Sequence, residues 1–176
     1  MASLITHPVV PLSLGIAMGR SNIPLKALLL GLLLSMLPDA DVIAFRFGIP
    51  YEHALGHRGL THSLAFAAIL ALCLCSLPAF SARRGRVFLF LLISAASHGI
   101  LDALTNGGLG VGFFIPANDH RYFLPWRPIK VSPLSVQAFF SARGWIILKS
   151  ELTAVWLPCL AGALAIFWIR RAKARA

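Results

Sequence analysis

Apolar residues run through this chain in long blocks, separated by short polar stretches. A bilayer core about 30 Å thick asks for about 20 helical residues. Residues 60–80 and 86–105 meet that length, and residues 153–169 come close before a basic run of Arg170, Arg171, Lys173 and Arg175. Two earlier blocks are weaker. Residues 2–19 carry His7, Pro8 and Pro11, and residues 24–37 hold only about three to four helical turns. The pattern predicts an all-α fold, a multi-pass helical membrane bundle of about five membrane-embedded helices. It forms one integral-membrane domain over residues 1–176. Residues 106–150 differ in kind. Gly107, Gly108, Gly110 and Gly112 loosen the start, and Pro116, Pro125, Pro128 and Pro133 disfavour long helices. Tyr122, Phe123, Trp126 and Trp145 suit a membrane interface. An irregular outer loop or lid is expected there.

Composition agrees with this picture. Of 176 residues, 58% are hydrophobic and 12% charged, with mean hydropathy +0.79. Soluble domains average about 45–50% apolar and about 25% charged. The lipid bilayer is therefore the first partner. The net charge of +10 sits in clusters flanking apolar runs, which reads as topology rather than as nucleic-acid binding. Placing Arg20 with Lys26, Arg83 with Arg84 and Arg86, and the C-terminal cluster in the cytoplasm fits five spans, with the N-terminus outside and the C-terminus inside. Arg121, Arg127, Lys130, Arg143 and Lys149 run against this, but a long loop weighs little in that rule. Cys73, Cys75 and Cys159 lie within apolar segments and read as small buried hydrophobes. No basic stretch precedes the first apolar run, so no cleavable signal peptide is expected.

The orientation, set by Lys and Arg alone, sorts the acids and histidines. His7, Asp39, Asp41, His57, His62, His98 and Asp102 all fall toward the outer side. His98 and Asp102 are four apart and share a helix face. In a soluble helix that spacing is most often a satisfied structural pair, but an ionisable pair within a membrane span marks a functional site by default. Pro38 is expected to end its helix and leave Asp39 and Asp41 extended, both pointing one way. Two such carboxylates repel unless a cation lies between them or one is protonated. His57 and His62 bracket Arg58 in the dense polar stretch 56–63, where Thr61 and Ser63 are candidate helix caps or histidine-orienting groups.

Mixed His and carboxylate donors suit a divalent metal, Zn first, with Mn or Fe as alternatives, in one or two copies. Such a site with an open position is catalytic in style. Asp39 is the candidate base if it is not a ligand, with His57 and Arg58 as further catalytic candidates. Arg58 and Arg121 are candidates for binding an anionic substrate group. Glu52, His53, Asp119 and His120 are secondary candidates, and Glu151 reads as a residue flanking the last helix.

Thr6-His7, Leu37-Pro38-Asp39-Ala40-Asp41, Gly56-His57-Arg58-Gly59-Leu60-Thr61-His62-Ser63 and Ser97-His98-x-x-x-Asp102 together resemble the YdjM-type family of the bacterial inner (cytoplasmic) membrane. Members of that family are described as membrane-bound metal-dependent hydrolases. The match covers roughly residues 1–128. The order of His and Asp residues is also similar to the zinc-dependent phospholipase C and nuclease P1 group. That likeness implies metal ligation by Asp39 or Asp41, by His57 or His62, and by His98 and Asp102, with phosphoester hydrolysis. A second downstream H-x-x-x-E element is missing, so one or two metals are expected rather than three. The reading is a metal-dependent hydrolase of phosphoester or lipid-like substrates. A non-enzymatic membrane protein with a structural or sensing metal site, and a small ion transporter, are the alternatives.

Overall fold

The computed structural model describes residues 1–133 and 136–175. Seven α-helices carry these residues: α1 (Val9–Met18), α2 (Leu25–Met36), α3 (Leu64–Cys75), α4 (Arg84–Ala103), α5 (Val136–Phe139), α6 (Ala142–Glu151) and α7 (Leu157–Lys173). Among the described residues there is no strand, and two isolated backbone bridges tie Thr105 to Ile129 and Val111 to Tyr122.

Among the described residues, three continuous helical stretches are long and apolar enough to cross a membrane: Leu25–Phe47, Pro78–Ala103 and Ala142–Lys173. α1 and α3 are shorter apolar helices. Residues 60–80 were expected to reach the length of a span, yet α3 has only 12 residues, about 18 Å of helix. Its start is fixed by Ser63, whose Oγ accepts the Phe66 amide at 3.1 Å. α4 is the central element, packed against α2 and α3. Ala27, Leu34, Ala67, Ala71, Phe90 and Leu91 form its apolar core. α1 packs between α2, α4 and α7.

Two departures from the sequence pattern shape the site. The helix does not stop at Pro38. It tightens into a 3-10 helix, Leu37–Phe47, which a left-handed Gly48 closes. Proline is tolerated there because it falls in the first turn of the tighter segment. Second, residues 142–150 were read as part of the irregular lid but belong to α6. α6 runs on through one widened π-helical stretch, Leu152–Trp156, into α7. Beyond Gly144, nothing in that stretch breaks a helix. The irregular part is therefore residues 104–133. It does fold back over the end of the bundle, with Gly112 N–H donating to Arg58 O, Leu64 N–H to Phe113 O, and Ser132 N–H to Met1 O. Leu134 and Ser135, within the expected lid, lie outside the described residues.

The basic ends gather at the opposite pole. Arg86 donates to Asn22 Oδ1 at 3.0 Å, and Arg170 donates to the carbonyl of Ala17.

Candidate metal centre

The ends of α2, α3 and α4 and the segment before α1 bring His7, Asp39, Asp41, His57, His62, His98 and Asp102 into one buried cluster. Four atoms face one another at its centre. His62 Nε2 lies 3.0 Å from His98 Nε2, and His98 Nε2 lies 3.4 Å from Asp39 Oδ1. His62 Nε2 is 3.9 Å from Asp39 Oδ1 and 3.7 Å from Asp102 Oδ2. His7 stacks on His98 with ring centroids 3.8 Å apart, and its Nε2 is 3.8 Å from both Asp39 Oδ2 and Asp102 Oδ1.

The tautomers follow from what the other ring nitrogens touch. His98 Nδ1 lies 2.7 Å from the Ser35 carbonyl, which can only accept, so Nδ1 carries the proton. Ser35 lies in the last turn of α2, and the residue three positions on is Pro38, which has no N–H to offer its carbonyl. On His62, Nδ1 faces Asp41 Oδ2 at 3.2 Å and Thr61 Oγ1 at 3.1 Å. Thr61 spends its single hydroxyl proton on Asp41 Oδ2 at 2.6 Å, so it too can only accept from His62. Both Nδ1 atoms therefore donate, and the two Nε2 lone pairs point at each other across 3.0 Å. That contact is repulsive unless a proton or a cation sits between them.

The carboxylates add to the demand. Both oxygens of Asp39, both nitrogens of His7 and Asp102 Oδ2 are buried without a hydrogen-bond partner. Such groups cost several kcal/mol unless compensated. Among the described residues, Arg58 is the one guanidinium ion-paired with any of the three aspartates, through Asp102. As carboxylates, set against Arg58 and the Met1 ammonium that also acts on Asp102, they leave one negative charge over. Ligands about 2.0–2.1 Å from a tetrahedral ion sit about 3.3 Å apart. The separations of 3.0, 3.4, 3.7 and 3.9 Å bracket that value. The donor set, its charge and its spacing all fit a divalent ion held by Asp39, His62, His98 and Asp102.

The expected extended geometry for Asp39 and Asp41 does not hold. A 3-10 helix turns about 120° per residue, so positions two apart diverge. Asp39 turns to His7 and His98. Asp41 turns to His57, whose Nδ1 lies 2.6 Å from Asp41 Oδ1. Asp41, His57 and His62 form a second potential metal group, with His62 common to both.

Both arginines donate to protein acceptors. Arg58 is wholly buried, at φ 63°, with NH1 donating to Gly107 O and NH2 to Thr105 Oγ1, both at 3.0 Å. Its Nε lies 2.9 Å from Asp102 Oδ2, a charge contact outside hydrogen-bond direction. Gly56 and Gly59 bracket this loop because a Cβ at either would strike the carbonyls of Pro50 or Ala54. Arg121 donates to His57 O, Tyr51 O and His53 O. It lies over the Tyr51 ring, and burial pushes the Tyr51 phenol above its ordinary pKa. Glu52, His53, Asp119 and His120 are exposed and outside the cluster.

Sequence reasoning underrated Glu151. It is wholly buried and accepts from Ser3 N–H, Ser3 Oγ and Thr6 Oγ1, the last at 2.9 Å. Trp156 Nε1 donates to the same Thr6 hydroxyl at 2.8 Å. This clasp seats the N-terminal segment so that Ala2 N–H reaches Asp102 Oδ1 at 2.7 Å. The available signal was an acid inside an apolar helical run.

The family model for YdjM inner membrane proteins matches residues 1–176. The chain belongs to the YdjM inner membrane protein family. It is 43% identical over 173 residues to the inner membrane protein YbcI of Escherichia coli strain K12, which covers 97% of this chain and 100% of that protein. No solved structure matches. YdjM membership supports a bacterial inner-membrane location. The likeness to phospholipase C and nuclease P1 gains no support and is set aside.

Proposed function

We propose that this chain is a membrane-bound metal-dependent hydrolase of phosphoester or lipid-like substrates, working at the outer face of the membrane. The observation carrying this reading is the pair of Nε2 lone pairs facing each other among unpartnered buried carboxylates. Asp39, His62, His98 and Asp102 would hold the ion, with His7 beside them. Zn is the first choice, with Mn or Fe as alternatives. A divalent ion supplies Lewis acidity, which lowers the pKa of water and polarises a phosphoryl oxygen.

The protein's own groups divide the remaining work. Asp39 also lines a cleft of about 600 Å³ walled by Leu4, Ile5, Met36, Val42, Phe139 and Phe140. An apolar tail fits such walls, with its polar head toward Asp39 and the ion it would help to hold. The contacts of Arg58 support a role in holding Asp102 in place, and those of Arg121 a role in holding the His57 loop. The positive-inside bias places the C-terminus in the cytoplasm and the cluster outside.

Complete burial of His7, His98 and Asp102 favours a second reading, a closed structural or sensing metal site. Transport fits less well. A conducting path needs polar groups through the depth, and the far halves of α2 and α4 pack Ala27, Val87 and Phe90.

Elemental analysis of detergent-purified protein, beside a His98→Ala/Asp102→Ala double variant, is the primary test. The parent should carry bound divalent metal, and a still-folded variant should lose it. A phosphoester and phospholipid screen then separates the readings: metal-dependent turnover supports the hydrolase, and stoichiometric metal without turnover supports the structural site. A parent that never binds metal, even after reconstitution, removes both.

A further inference from the structure

We infer that the centre takes one ion, and that Asp41 is the orienting partner of His62 rather than a ligand of a second ion. The inference rests on the metal reading above and decides between its one-ion and two-ion forms.

Asp41 and Asp39 stand two residues apart with opposite demands. Asp39 has no hydrogen-bond partner on either oxygen. Asp41 has more donors than a ligand carboxylate can keep. Oδ1 faces His57 Nδ1 at 2.6 Å. Oδ2 accepts the Thr61 hydroxyl at 2.6 Å and the Arg58 amide at 3.1 Å, and faces His62 Nδ1 at 3.2 Å.

An ion seated among Asp41, His57 and His62 would need three changes. His57 Nδ1 and His62 Nδ1 would each give up a proton, and Thr61 would turn its hydroxyl away. His62, already presenting Nε2 to the first group, would become a doubly deprotonated imidazolate bridge. The contacts of Asp41 describe the opposite state, a carboxylate hydrogen-bonded by His57 Nδ1, the Thr61 hydroxyl and the Arg58 amide, with His62 Nδ1 in charge contact at 3.2 Å. A ligand histidine whose other nitrogen donates to a carboxylate is a recurrent way to fix the tautomer and raise basicity. The Ser35 carbonyl does the same for His98. Each of the two ligand histidines thus has fixed acceptors behind Nδ1, Asp41 and Thr61 for His62 and the Ser35 carbonyl for His98, and both aim Nε2 at the same point. His57 shares no contact with that point. It extends the chain His57–Asp41–His62 outward toward Tyr51, whose ring meets His57 edge-on at 5.2 Å.

The test is metal binding by the full chain in detergent, with Zn²⁺ for stoichiometry and Co²⁺ for its visible spectrum. The parent should bind one ion. Asp41→Asn keeps an acceptor for His62 and should still bind one ion, about ten- to a hundredfold more weakly, with the Co²⁺ bands unmoved. Asp41→Ala should weaken binding further. In ¹⁵N-histidine spectra of the zinc-loaded parent, two imidazoles should carry a proton on Nδ1 and metal on Nε2. Should the aspartate variants fail to fold, the parent's stoichiometry and this spectrum decide alone. Two ions per parent chain, or an imidazole metallated on both nitrogens, overturns the inference and leaves the metal reading standing. No ion in the parent overturns both.

Discussion

Arg58 carries the cost of placing charge where no water reaches. Its guanidinium lies beside Asp102 Oδ2 and is held in place by Thr105 and Gly107. Removing one partner of a buried pair leaves the other uncompensated, typically about 3–5 kcal/mol of destabilisation. Arg58→Ala should therefore lower the unfolding temperature in detergent far more than loss of an exposed arginine such as Arg127. An unchanged temperature would mean that the pair contributes nothing. The same residue shows what sequence could and could not convey. Arginine between two histidines suggested an anion binder, because residue type is visible and burial is not. Its partners, Asp102 and Thr105, lie more than 40 positions downstream, beyond any local pattern.

Helix α2 governs the site through its contact with α4. Gly31 lies where the two helices approach, and a Cβ there would fall 2.5 Å from Phe90 Cε1 and 2.9 Å from Ser94 Oγ. Gly31→Val should force α2 away from α4 at a cost of about 1–3 kcal/mol. Because α4 carries His98 and Asp102 while α2 leads to Asp39, the variant should also bind metal more weakly than the parent. Thermal unfolding and Zn²⁺ titration read the two effects separately. Normal stability with normal affinity would show that the helices tolerate the extra group. Helical spacing made His98 and Asp102 legible, since the period holds throughout α4. The divergence of Asp39 from Asp41 was not legible. A proline reads as a helix end, and nothing local says that the chain will instead tighten and continue. Glu151 was hidden for a different reason: its partners Ser3 and Thr6 lie at the far end of the chain.

At the scale of the molecule, polarity is divided between two poles. The histidines and aspartates gather at one end, and Arg86 and Arg170 secure the other. This division was readable because arginine and lysine clusters recur at alternate ends of the apolar blocks. The length of α3 was not, because hydropathy does not mark where a helix starts and stops within an apolar run. The proposed orientation makes a direct prediction. A fluorescent protein that folds only in the cytoplasm, fused after Ala176, should fluoresce, while an alkaline phosphatase fused there should stay inactive. The reverse pattern would turn the molecule over and face the cluster inward. The clasp of Glu151 on Ser3 and Thr6 also sets an order of events during synthesis. Every candidate ligand has left the ribosome once Asp102 has emerged. The acid that seats the N-terminal segment against Asp102 comes 49 residues later. A nascent chain therefore holds a complete ligand set before it holds a closed one, which leaves an interval during insertion when an ion can enter without the finished fold having to open.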